Sequence, residues 1–157
     1  MKKTTLAMVV GTRDFFPAEP VLAARREMLA LLAEMGVDVV VLSEEATNMG
    51  AVETWEDAKR CAALFRQHRD RIDGILLVLP VFAPERSIAD TIKLSELQVP
   101  ILVQAYPDDL DKMAVELRGD AFCGKISVTN NLYQYGFPFS LTEQHTVHPK
   151  TESFRSD

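Results

Sequence analysis

The chain has 157 residues, 47% of them hydrophobic and 25% charged, with a formal net charge of −6 at pH 7. Its length suits one domain and its composition supports a packed core, which excludes a disordered chain. The acidic balance excludes nucleic acid as the main partner, because phosphate contacts need clustered Lys and Arg. No apolar run approaches the roughly 20 residues of a membrane-spanning helix.

The N-terminus, MKKTTLAMVVG, has the basic start of a signal peptide. Its apolar run is only LAMVV, and no small-residue cleavage pattern follows. It therefore reads as a first strand over residues 4–10 of a cytoplasmic protein, ended by Gly11. A helix is expected from Pro17 to Met35, with Val21, Met28, Leu32 and Met35 on one face and Arg25, Arg26 and Glu27 mostly away from it. Pro17 suits a first helical turn and Gly36 the position after the last. VDVVVL, 37–42, is a second strand, and the polar stretch 43–53 a loop. Thr54 and Asp57 form a capping box ahead of Trp55, Ala58, Ala62 and Phe65, a stripe at core-packing spacing.

GILLVLP, 74–80, is apolar on both faces, as in the centre of a parallel sheet. A short helix from Arg86 to Leu97, a strand over 100–106, a helix over 124–136 and a fifth strand over 137–141 follow. The domain is thus expected over residues 1–142, with 143–157 as a polar tail or a linker to later domains. Alternating strands and helices imply a three-layer α/β fold, with a five-stranded parallel sheet in the flavodoxin/Rossmann-like order 2-1-3-4-5. Ligands of such sheets bind beyond the carboxyl ends of the strands, where the order reverses.

Three loop starts meet there, and Arg13, Phe82 and Gln104 are expected to converge. Arginine offers five fixed donors, glutamine both a donor and an acceptor, and the aromatic an apolar wall. That set suits a polyhydroxylated small molecule such as a sugar. The competing reading is that Arg13 pairs with Asp14 or another nearby acid. The strand ends lack the acidic cluster of a phosphoacceptor domain, and GTRDFFP is too poor in backbone donors for a flavin phosphate loop. Neither GxGxxG nor a P-loop occurs.

Asp108, Asp109 and Asp111 fit a solvated helix start better than a metal loop. His145 and His148 do not complete a zinc site. Cys61 and Cys123 have no metal or redox spacing and are expected to be reduced, partly buried thiols. Asn130 and Asn131 fit a solvent-facing turn of their helix.

GTRD after strand 1, LPVFAPER after strand 3, LVQAYPDD after strand 4 and FCGKISVTNNLYQYGFPFSL near the end occur in order across the chain. With them the sequence resembles the N-terminal region of the L-fucose/L-arabinose isomerase superfamily, over about residues 4–150. The resemblance implies a parent that interconverts aldoses and ketoses through an ene-diol, using manganese or another divalent metal. The metal ligands and catalytic carboxylates would lie in later domains, TESFRSD would be an interruption rather than an end, and this chain alone would be inactive. Its place would be a Rossmann-type domain covering the catalytic pocket of a neighbouring subunit in a homo-oligomer. Carried over by motif, Arg13, Phe82, Gln104 and Asp120 would touch the far end of the sugar, Asp120 least securely. The Val81-Phe82 wall is less polar than in fucose-type members, so the resemblance names no particular sugar. Two alternatives stay open: a stand-alone sugar-binding module, and a structural oligomerisation domain in which Arg13 is an ion-pair partner.

Overall fold

Leu76, Leu77 and Val78 are almost wholly buried, and the strand that carries them, β3 (Gly74–Leu79), sits at the centre of the sheet. The computed structural model describes residues 3–157. Around β3 it places β1 (Thr5–Val10), β2 (Asp38–Val40), β4 (Ile101–Ala105) and β5 (Ser140–Leu141), in the order β2-β1-β3-β4-β5 and all parallel. The α/β architecture and strand order are those expected from the alternating sequence pattern.

Because successive side chains alternate between faces, each strand feeds two cores. Ala7, Val9, Ile75, Leu77 and Val103 pack with α2 (Trp55–Gln67), α3 (Glu85–Ser95) and α4 (Ala121–Gln134). Met8, Val10, Leu76 and Val78 pack with α1 (Ala18–Glu34). Gln104 stands opposite Val78 in register and therefore shares the α1 face.

The local signals act as their chemistry dictates. The Thr54 hydroxyl accepts from Asp57 N at 3.1 Å, and the Asp57 carboxylate accepts from Thr54 N at 2.9 Å. Gly36 ends α1 with φ +75°, a left-handed conformation that glycine adopts without a Cβ penalty. Among the described residues, no helix is long and apolar enough to cross a membrane.

Several expectations are corrected. β2 is shorter than 37–42 because Val52 takes the place beside the end of β1: its N–H donates to Val10 O at 2.8 Å, and it accepts from Thr12 N at 3.1 Å. Arg25 does not face solvent. It is buried, and its Nη2 donates to Leu42 O at 2.5 Å, so it ties α1 to the chain leaving β2. Burial lowers its pKa, and Glu44 and Glu45 partly oppose that shift.

No helix starts at Asp108–Asp111. The Asp108 carboxylate instead accepts from Gly119 N and Asp120 N, at 2.7 and 3.3 Å, and closes a long loop. α4 begins three residues early, at Ala121. Part of the expected β5 is spent ending that helix, with Phe137 N donating back to Leu132 O at 2.9 Å. Cys61 is buried, which raises its thiol pKa, and Cys123 is exposed.

The largest difference lies in residues 143–157, which are not a featureless tail. They fold back across the α1 face, place Val147 and Phe154 in the second core, and end in α5 (Glu152–Ser156). Their apolar residues are too sparse to show a period, so the sequence pattern had nothing to display there.

Candidate substrate-contact site

β1 ends at Val10, and the chain turns out of the sheet through Gly11. A Cβ on Gly11 would lie 2.5 Å from Ala83 Cβ. Only a glycine lets the loops after β1 and β3 approach this closely. That approach sets Arg13 beside Phe82. The Arg13 guanidinium carbon lies 5.8 Å from the centre of the Phe82 ring, within cation–π range. Phe16 stacks on Phe82 with centroids 6.3 Å apart and planes 18° off parallel. Phe15 meets Phe16 edge-on at 5.3 Å. Together with Asp14 these side chains line an open cleft of about 470 Å³.

Arg13 is exposed, and among the described residues no carboxylate forms an ion pair with it. Asp14 lies next to it in sequence, but the backbone N–H of Asp14 is held by Glu53 Oε1 at 2.7 Å. The ion-pair alternative for Arg13 therefore has no counterpart in the geometry.

The opposite wall is held by the loop ahead of α4. Phe82 N donates to Gly119 O at 2.6 Å. Cβ atoms on Gly119 and Gly124 would lie 2.7 Å from Pro80 O and 3.0 Å from Phe82 Cα. Two small residues thus let loop and helix rest directly on the β3 exit. Asp120 sits in this loop at φ +53°, a conformation uncommon outside glycine, and its carboxylate pairs with Arg118 at 3.0 Å. It belongs to the support of the site and does not line the cleft.

Gln104 does not join Arg13 and Phe82, so the expected three-way convergence holds for two residues only. Gln104 is fully buried. Its Nε2 donates to Val147 O at 2.7 Å, while Val147 N donates to Ala105 O at 2.9 Å. The returning C-terminal segment covers it. Its Oε1 is buried without a partner among the described residues.

Sequence reasoning passed over Lys125, also fully buried. Its Nζ donates to Thr142 Oγ1 at 2.7 Å and to His145 O at 2.8 Å, fastening the same segment to α4. Burial lowers its pKa to about 8, against a smaller opposing effect of Asp157. A lysine inside an apolar helical pattern was the only visible signal. Farther along, Glu27 receives His148 Nε2 at 3.1 Å and Lys150 Nζ at 3.4 Å, and the Tyr106 hydroxyl donates to Ala24 O at 3.3 Å. Burial raises the Tyr106 pKa, and the Glu27 charge adds to that shift.

A divalent metal does not fit these residues. Among those described, no group of three or more His, Cys, Asp or Glu side chains could hold one. In the acidic loop, Asp108 is committed to Gly119 and Asp120, and Asp109 to Asp111 N and Lys112.

The chain is thus an α/β domain of doubly wound topology with an open cleft, lined by Arg13 and three phenylalanines, at the strand-order reversal. The family described as fucose/sulfoquinovose isomerase, N-terminal domain, matches residues 7–157, and the chain belongs to that family. No curated protein matches the chain significantly.

Proposed function

We propose that this chain is the substrate-capping N-terminal domain of a metal-dependent aldose–ketose isomerase, with Arg13 and Phe82 as its contacts to the sugar. One observation carries the reading: an exposed guanidinium, without a carboxylate partner among the described residues, held over an aromatic ring at the rim of an open cleft. Arginine in that position donates to hydroxyls or to a sulfonate, and the Phe82 and Phe16 faces suit the C–H side of a sugar ring. The cleft is open on one side, as a cap completed by a neighbouring subunit would be. The divalent metal, manganese by resemblance, belongs to residues outside this chain, and no step of the chemistry is assigned to the residues here. Gln104 holds the C-terminal segment and Asp120 the loop, so both support the cap instead of touching the sugar.

The test is made in the protein that carries this domain, on neutral and sulfonated aldoses. A charge-assisted hydrogen bond contributes about 1.5–3 kcal/mol. Arg13→Ala is therefore expected to lower kcat/KM by roughly 10- to 100-fold, with assembly and metal content unchanged and partial recovery in Arg13→Lys. Unchanged kcat/KM overturns the reading. The 157-residue chain supplied with manganese is expected to show no turnover, and measurable isomerisation by it contradicts the assignment.

A further inference from the structure

The outer surface of α2, α3 and α4 carries a second opening, of about 490 Å³, which the sugar contact does not use. Trp55, the only tryptophan, opens α2 and is 49% exposed. Tyr135, just past α4, forms the other aromatic side, and Arg86, Asp90 and Lys93 of α3 lie between them. Lys59 Nζ stands 6.0 Å from the centre of the Trp55 ring, and Lys93 Nζ stands 5.6 Å from that of Tyr135. Asp90 is the single carboxylate of the lining and is already engaged: it accepts from the Tyr135 hydroxyl at 2.8 Å and lies 3.9 Å from Arg86. What remains for an incomer is two rings and the exposed cations Arg86 and Lys93, Lys59 being paired with Glu56 at 2.8 Å. Tryptophan, tyrosine and arginine are the residues that most often anchor protein interfaces.

A segment of matching chemistry lies elsewhere in the same chain. Leu110 is 87% exposed, more than any other large hydrophobic residue described. Asp109 and Asp111 bracket it, and the loop tip is fixed by Asp111 N donating to Asp109 Oδ1 at 3.0 Å. Met113, Val115 and Leu117, close behind, are about half exposed. Lys112 Nζ lies 3.8 Å from Asp109 Oδ2, an exposed pair weakened by solvent, so the apolar side chain between two carboxylates still offers a complement to a ring-walled groove edged by cations.

We propose that the Asp109-Leu110-Asp111 tip of one copy docks in the Trp55–Arg86–Lys93–Tyr135 groove of a second copy. Charge complementarity selects this occupant. Copies carrying a net charge of −6 repel overall, so contact between them needs a local match of opposite sign. Groove and tip share no residues, so the contact is heterologous and gives a closed ring or an open chain instead of a two-fold dimer. It uses neither Arg13 nor Phe82, and it stands or falls apart from the sugar-capping reading.

Sedimentation of the 157-residue chain from micromolar to millimolar concentration is the experiment. Reversible association that weakens as salt is raised is expected. The double variant Arg86→Glu with Lys93→Glu, and separately Asp109→Lys with Asp111→Lys, should each weaken association at least about tenfold, since like charges across an interface cost several kcal/mol. Mixing the two double variants should restore it, because each reversed surface then meets its complement. Far-UV circular dichroism confirms that the variants are folded. A wild-type chain that stays monomeric throughout overturns the proposal. So does association that survives both reversals, or that mixing fails to restore. Association lost only when Phe122 and Ile126 on the exposed side of α4 are substituted overturns it as well, in favour of a different face.

Discussion

Two polar clusters occupy the same carboxyl end of the sheet, and their fates differ. Arg13, at the exit of β1, is exposed, and its guanidinium lies over the Phe82 ring. Gln104 and Lys125, on β4 and α4, are fully buried and spend their donors on the backbone and hydroxyl of residues 142–147. All three are long polar side chains near a strand end or helix start. What separates them is whether another stretch of backbone passes overhead. A covered polar group must be partnered locally, because leaving it unpaired costs about 1–3 kcal/mol. An uncovered one keeps its donors for a ligand. The closed cluster is thus structural by necessity, and the open one is available for function.

That contrast predicts a graded series. The largest effect is expected at the segment that closes the buried cluster: Phe154→Ala removes a buried ring from the α1-side core and should cost about 3–5 kcal/mol in urea unfolding. A loss below about 1 kcal/mol would mean that residues 143–157 cover the sheet only loosely.

Lys125→Met comes next, at about 1–3 kcal/mol near pH 10, because His145 O loses its donor, with a smaller loss at neutral pH, where the variant also relieves a buried charge. The same variant carries a pH signature. The folded ammonium titrates near pH 8, whereas an unfolded lysine titrates near 10.4, so between these values the unfolded chain holds the extra proton. Stability therefore gains with rising pH across that window, and below it the full penalty is present. The stability difference between wild type and Lys125→Met, followed from pH 7 to 10.5, should grow in favour of wild type. A flat difference would place the ammonium in contact with water.

Gln104→Leu is expected to cost about 1 kcal/mol: the bond to Val147 O is lost, but the unpartnered Oε1 goes with it. Faster amide exchange at Val147 would identify the segment that loosens. The smallest effects belong to the open cluster. Arg13→Ala and Phe15→Ala should each stay within about 0.5 kcal/mol of wild type in the same unfolding experiment, Phe15 being 67% exposed. A large loss at Arg13 would turn it into a second structural arginine, like Arg25, and remove the contrast.

Much of this domain could be read from the chain. Alternating apolar runs and amphipathic stretches determined the five strands, their parallel order and the helices between them, because each period of two or 3.6 residues records which face is buried. The capping box at Thr54 and the end of α1 at Gly36 were legible for the same local reason. The sequence also placed Arg13 and Phe82 at neighbouring strand exits. Only the tertiary structure decided that Gly11, Gly119 and Gly124 press those exits together, that Arg25 and Lys125 point inward, and that residues 143–157 return to bury Gln104. Periodicity records the burial of an element against the sheet, but not which distant segment crosses a given strand end. That crossing settles which polar side chains are sealed in and which remain open to a substrate.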